Sequence, residues 1–359
     1  MKATHNLVAQ VLRQPKTAVS LSHTEWDLLI RQARHADLLA RIYTMLDDQG
    51  LIDSIPARPR AHLESADTVV QRHAQAIRWE TLCLRKALAT IDLQVIMLKG
   101  AAYLMADLPP SRGRIFSDVD ILVPKGQLNQ AEAALRLHGW ASSHHDAYDQ
   151  RYYRIWMHEL PPMMHLKRQS VLDVHHNILP ESARVHPDPV KLIEAAVPVG
   201  EDQSIKVLAP VDMVLHSATH LFHEGELDHG LRDLADLDSL LRHFGDSPSF
   251  WSALVSRAQE LELTRPLFYA LRYANLVLGT PIPESAAINQ AVSRPSWLLV
   301  AIMDALYGRA LAPIHPSCSD WLTGTARWLL YVRAHWLRMS PWQLIYHLFH
   351  KAFLSPKRS

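Results

Sequence analysis

Two aspartates with one residue between them, Asp118 and Asp120, stand at the entrance of the apolar run Ile121-Leu122-Val123. In a strand, side chains two apart share a face, so both carboxylates project together while Val119 and Ile121 point the other way. Two anions side by side repel unless a cation lies between them. A hard divalent ion meets that need, since it prefers carboxylate oxygens and shares its shell with substrate phosphates. Asp173, in Val171-Leu172-Asp173-Val174-His175, offers a third carboxylate from a separate apolar run. Three such groups on neighbouring strands can hold two divalent ions and stabilise both oxygens of an in-line displacement at phosphorus. The plainer reading of any Asp-x-Asp is a pair of solvated acids, or one acid capping a turn.

Basic, glycine-bearing turns surround the acids. Lys99-Gly100 ends the run Val95-Ile96-Met97-Leu98, and Arg112-Gly113-Arg114 precedes Ser117-Asp118. Glycine permits close backbone approach, and exposed N–H groups at a turn favour phosphate. Lys99, Arg112 and Arg114 can grip triphosphate oxygens. Against this, single lysines and arginines in loops are most often solvated. A second constellation follows. His216 and His220 are four residues apart on one helix face, and His223, His229, Arg232, Asp233 and Asp236 come after them. Such a set can bind a metal and activate water, as in a His/Asp metal phosphohydrolase. It can equally pack between helices, or line a cleft opposite the acids with Arg232 and Asp236 touching nucleotide or acceptor. The chain has 22 histidines, so clusters arise easily.

The elements that must position these groups follow from the hydrophobic pattern. A helix capped by Thr24, a second over Ala36 to Asp48 and a long third over Ala61 to Ile91 form an N-terminal helical region, residues 1–91. Val69, Val70, Ile77, Leu82, Leu84 and Leu88 are the expected core contacts of the long helix. Residues 92–205 read as an α/β core. Its strands are expected over Leu93 to Leu98, Asp118 to Val123, Ala147 to Met157, Met163 to Leu166 and Val171 to His175. Its helices are expected over Ala101 to Ala106 and Gln127 to His138, the latter closed by Gly139. Residues 206–359 return to the helical period, beginning with Val211 to Phe222 and Leu231 to Phe244, passing through Glu284 to Ala291 and ending with Trp321 to Leu337 and Pro341 to Phe353. The fold class expected is α+β, a small mixed-sheet core flanked by helices.

Composition bounds the remainder. The 359 residues suffice for two or three domains. With 48% hydrophobic and 20% charged residues, a packed globular protein is expected. A net charge of +1 gives no global attraction to nucleic acid. Two distant cysteines, Cys83 and Cys318, argue against a disulfide framework or zinc cluster. No signal-peptide core or run of about 18 apolar residues is present, so the expected location is cytoplasmic. After Asp320 there is no acidic residue, and Trp321, Trp328, Trp336 and Trp342 alternate with Arg327, Arg333, Arg338, Lys351, Lys357 and Arg358. That end suits an anionic membrane surface or a partner, or forms an ordinary packed helix pair.

The acids, their turns and the third strand together resemble the nucleotidyltransferase superfamily, whose fold is that of the DNA polymerase beta catalytic core. More narrowly, L-K-G, R-G-R, S-D-V-D-I-L-V and V-L-D-V-H-H resemble a bacterial family of uncharacterised nucleotidyltransferases. The resemblance runs from about Ser22 to Leu278 and includes Leu231-Arg232-Asp233-Leu234-Ala235-Asp236-Leu237. It implies transfer of an NMP from an NTP, with Mg²⁺ or Mn²⁺ held by Asp118, Asp120 and Asp173. Lys99, Gly100, Arg112, Gly113, Arg114 and Ser117 would then hold nucleotide, and His175, His216, His220, Arg232 and Asp236 would form cleft walls or a second site. The superfamily's turn is usually Gly-Gly or Gly-Ser and lies nearer the acids than Lys99-Gly100 does. The acceptor is not readable: a sugar, peptide, protein or RNA end all remain open. A second class, a non-catalytic fold used for binding or antitoxin-like regulation, predicts acids that can be replaced without loss of partner affinity.

Overall fold

The computed structural model describes residues 6–142, 157–200, 204–225, 227–283 and 294–339. Four helices come first: α1 (Leu7–Arg13), α2 (His23–His35), α3 (Leu39–Asp48) and α4 (Ala57–Ala89). Helix α1 was not expected. Its Asn6 cap accepts from the Ala9 N–H at 3.0 Å, and it buries Leu7, Val8 and Val11. Ser22, not Thr24, caps α2. The Ser22 side chain accepts from the Glu25 N–H while the Glu25 carboxylate accepts from the Ser22 N–H, a reciprocal box that fixes the start earlier. On α4 the expected core positions divide. Val70, Leu84 and Leu88 are buried, but Val69 is 46% and Leu82 37% exposed, because only part of the circumference of this 33-residue helix meets the sheet and α3.

The sheet has seven strands: β1 (Val95–Leu98), β2 (Val119–Leu122), β3 (Trp140–Ser142), β4 (Met163–His165), β5 (Val171–His175), β6 (Val197–Val199) and β7 (Ile205–Val207). Their order is β3-β4-β5-β2-β1-β7-β6. β2 runs parallel to β5 and antiparallel to β1, so the sheet is mixed. β1 and β2 are buried at every position, which explains their unbroken apolar runs. β3, β6 and β7, each three residues long, were not expected, whereas the equally short β4 falls within the strand expected over Met163 to Leu166. The strand expected over Ala147 to Met157 lies outside the described residues except for Met157. Helices α5 (Lys99–Met105), α6 (Leu128–Leu137) and the short α7 (Pro189–Glu194) connect the strands. Gly139 closes α6 with φ +95°.

After β7 the chain is helical: α8 (Pro210–Thr219), α9 (Gly230–Phe244), α10 (Pro248–Glu260), α11 (Thr264–Tyr273), α12 (Trp297–Ala310) and α13 (Thr323–Arg338). α8 continues into a π-helical turn, His220–Glu224, ended by Gly225 at φ +79°. A Cβ at Gly225 would collide with the Ala334 Cβ, so that glycine lets α13 press on the turn. One hydrophobic core runs through sheet and helices from Leu7 to Leu330. The helices expected over Glu284 to Ala291 and Pro341 to Phe353 lie outside the described residues. Trp321 is 87% exposed, whereas the Arg184 guanidinium lies 4.7 Å over the Trp336 ring. Among the described residues no helix is long and apolar enough to cross a membrane.

Candidate active site

The site begins where β1 ends. Leu98 pairs with Asp120 across the antiparallel β1–β2 ladder, so the next residue, Lys99, emerges beside the Asp120 carboxylate. Lys99 holds φ +47°, a left-handed conformation that costs a non-glycine residue about 1 kcal/mol or more. This turn from strand into α5 brings its ammonium to 2.9 Å from Asp120 Oδ1. On the other side, Asp120 pairs in register with Asp173 of β5. Asp118 lies two residues before Asp120 and accepts from the Ser117 hydroxyl at 2.8 Å.

His175 completes the surroundings of Asp120. Its Nε2 lies 3.0 Å from Asp120 Oδ1, its Nδ1 3.3 Å from Glu159 Oε2, and its ring stacks on His158 at 5.3 Å. Burial opposes the Asp120 charge, but Lys99 and His175 outweigh it and hold the carboxyl far below the usual range. Asp118 goes the other way. Burial, and then the neighbouring Asp120, raise its pKa. The pair is thus an asymmetric one, with a firmly ionised inner carboxylate and an outer carboxylate that gains most from added positive charge.

Helices supply the opposite wall. Ser217, His220, Arg232, Asp233 and Asp236 face the aspartates across a cleft of about 250 Å³, with Lys99, Gly100 and Arg114 at one side. Asp236 does not face the cleft as a free carboxylate. Arg41 Nη2 donates to its Oδ1 at 2.6 Å and Arg114 Nε to its Oδ2 at 2.8 Å. Arg41 also donates to the Pro110 carbonyl at 2.5 Å and the Ser239 hydroxyl at 3.2 Å. Helix α3, the loop before β2 and helix α9 therefore meet at one carboxylate. Burial lowers the Arg41 pKa in spite of Asp236, while for Arg114 the pull of Asp236 exceeds the cost of burial and raises it.

The two glycines serve this knot. Gly113 has φ +67°, and a Cβ there would stand 2.5 Å from Arg41 Cα and 2.7 Å from the Ala40 carbonyl. A Cβ on Gly100 would collide with the Arg114 guanidinium, which covers the start of α5. Arg112 points elsewhere, to a bidentate pair with Asp48 at 2.7 and 2.8 Å on the exposed surface. Neither Arg112, Gly113 nor the buried His216 lines the cleft. His220 lies 4.0 Å from Asp233, and Arg232 donates to Asp233 at 3.0 Å. His216, His220 and Asp236 do not converge: among the described residues, the one set of three metal-type ligands within 4.8 Å of one another is His158, Glu159 and His175. The phosphohydrolase arrangement is therefore not formed, because Asp236 is spent on two arginines. The three aspartates also stand wider apart than that limit.

Residues 22–279 match the family described as "Uncharacterised nucleotidyltransferase". The chain belongs to this family. The matched span starts at the cap of α2 and ends just after α11, so it takes in the Asp236 knot as well as the sheet. No curated protein matches the chain.

Sequence reasoning missed Arg41, His158 and Glu159. Arg41 had a readable signal, a charged residue next to the core positions Leu38, Leu39 and Ile42. His158 and Glu159 had none, because their partner is brought by an isolated bridge, Glu159 to His175. Histidines dominate the interior around the cleft. Burial lowers the pKa of His158, His216 and His220 far below the ordinary value, and burial with Arg333 and Arg338 brings His223 down to about 4. In the unfolded chain these rings take up protons below about pH 6.5. The unfolded state then binds more protons than the folded one, so stability rises with pH. The stabilising contribution is complete above about pH 6.5 and is lost as pH falls toward the folded values. Thermal melts in chelator are expected to show Tm falling steadily from pH 7 to pH 5. A flat profile over that range would mean these rings are charged or solvated.

Proposed function

We propose that the protein transfers an NMP from an NTP to an acceptor with release of pyrophosphate, using Mg²⁺ or Mn²⁺ held by Asp118, Asp120 and Asp173. The observation that carries this reading is the register pairing of Asp120 with Asp173 on adjacent parallel strands, with Asp118 two residues earlier on the same cleft wall. An all-carboxylate donor set suits a hard cation that keeps water and phosphate in its shell.

When bound, the ion supplies Lewis acidity at the α-phosphate and lowers the pKa of an acceptor hydroxyl. The chain's own groups do the rest. Asp118 and Asp120 would hold the ion, with Asp120 kept ionised by Lys99 and His175. Asp173 lies beside them and takes the acceptor proton. The acceptor oxygen forms a bond to the α-phosphorus as the bond from that phosphorus to the bridging oxygen breaks, and the electron pair leaves on pyrophosphate. Lys99 and Arg232 line the cleft and steady the charge that develops on the leaving phosphates. Arg114 adds to the same positive wall while anchored on Asp236. Gly100 and Ser117 form the edge along which the nucleotide enters. Gly113 acts indirectly, by letting the loop that carries Arg114 pack on the backbone of α3.

The test is incubation of the protein with each labelled NTP, a divalent ion and cell extract, followed by isolation of whatever carries label. A labelled species formed only with protein and divalent ion supports the reading. Bound NTP with no labelled product from any extract counts against it and favours a binding role for the fold.

A further inference from the structure

A second cluster of ligand-type side chains lies beside the aspartates in the same cleft and, apart from the His175 contact to Asp120, has no task in the transfer reaction. His158, Glu159 and His175 each present one ligand atom, and these atoms all fall within 4.8 Å of one another. Two of the residues are buried and Glu159 is half-buried, so the cluster is part of the fold and not a loose surface group. The backbone fixes it. Glu159 bridges His175 across an isolated antiparallel contact, the Leu160 N–H donates to the Val174 carbonyl at 2.8 Å, and the His176 N–H donates to the His158 carbonyl at 2.8 Å.

The His175 ring shows what the cluster is built for. Its Nε2 meets the Asp120 carboxylate at 3.0 Å, while Nδ1 turns to Glu159 Oε2 at 3.3 Å. A carboxylate on one ring nitrogen fixes the tautomer and leaves the other nitrogen as a lone-pair donor, the arrangement found around histidines that ligate metals. Two imidazoles and one carboxylate form a mixed nitrogen and oxygen set. That set selects a borderline divalent ion such as Zn²⁺, Co²⁺ or Ni²⁺ over Mg²⁺, which prefers oxygen alone.

We propose that His158, Glu159 and His175 form a second metal site, for a borderline transition-metal dication, distinct from the three aspartates. Its role is positional: a metal on His175 locks the ring whose other nitrogen orients Asp120. The proposal does not depend on nucleotidyl transfer, because its test reads metal and not turnover.

The experiment uses full-length protein without a histidine tag, stripped with chelator and titrated with Co²⁺. Wild type is expected to develop visible d–d absorption saturating at one ion per chain, with Zn²⁺ displacing it and excess Mg²⁺ leaving it in place. Glu159→Gln, nearly isosteric and at a half-buried position, is expected to weaken Co²⁺ binding by at least about tenfold. His158→Ala, with folding checked by circular dichroism, is expected to abolish the absorption. Asp118→Asn, outside the cluster, should bind Co²⁺ as wild type does. No d–d absorption in wild type, an unchanged affinity in Glu159→Gln, or a loss caused by Asp118→Asn would each overturn the proposal. The last result would place the ion on the aspartates.

Discussion

Asp120→Asn is expected to lower nucleotidyl transfer by at least about a thousandfold, the equivalent of roughly 4 kcal/mol of transition-state stabilisation. The substitution keeps the shape of the side chain but removes the charge that Lys99 and His175 hold in place. It also leaves the Lys99 ammonium facing an amide, so some loss of stability is expected, about 1 to 2 kcal/mol. Asp118→Asn separates the two effects. Asp118 is bonded in the structure to the exposed Ser117 hydroxyl, and its charge is disfavoured by burial and Asp120. Its loss should therefore leave the melting temperature unchanged or raise it, while transfer falls by a similar factor. Arg112→Ala is the matched control. Its pair with Asp48 is an exposed one, of small value, and it stands away from the cleft. Rates measured at saturating NTP and divalent ion check all three. Full activity in both aspartate variants would remove the aspartates from the reaction.

Asp236→Asn should be the most destabilising single change among the cleft residues, by about 3 to 5 kcal/mol. Asp236 is 3% exposed and Arg41 9% exposed at the side chain, so removing the carboxylate charge strands guanidinium groups inside the protein. The effect on structure should be wide, because this carboxylate ties α3, the loop of Arg114 and α9 together. Urea denaturation followed by circular dichroism is expected to show a clearly lowered midpoint with a similar slope. A change under about 0.5 kcal/mol would mean that the two arginines find water or other partners. If the knot holds as described, Arg114→Lys should also destabilise, since a lysine cannot offer the same fixed fork.

The acid pair and its third member were legible because strand geometry links sequence spacing to side-chain direction. Asp118, Asp120 and Asp173 needed only the two-residue repeat and two apolar runs. The long helix and the helices after β7 were legible for the same kind of reason, a sustained period. What was not legible depended on contacts far apart in the chain. The Arg112-Gly113-Arg114 turn read as a single basic phosphate grip, yet its two arginines part company. Arg112 goes to Asp48, 64 residues away, and Arg114 to Asp236, 122 residues away. Gly113 looked like a phosphate-binding glycine, but the space it leaves is filled by the backbone of α3. Likewise, His216, His220 and Asp236 looked like metal ligands at helical spacing. Only packing could reveal that Asp236 answers two arginines and that His175, with His158 and Glu159, forms the closer cluster.

Nucleotidyl transfer requires attack at the α-phosphorus of the NTP. The most direct test pairs two incubations with the same acceptor-containing extract and divalent ion, one with NTP labelled at the α-phosphate and one labelled at the γ-phosphate. The expected result is an acceptor labelled only from the α-phosphate, with the γ-label recovered in pyrophosphate, and no labelling by Asp118→Asn. Label passing to the acceptor from the γ-phosphate would rule out nucleotidyl transfer and show a phosphotransferase built on the same carboxylates.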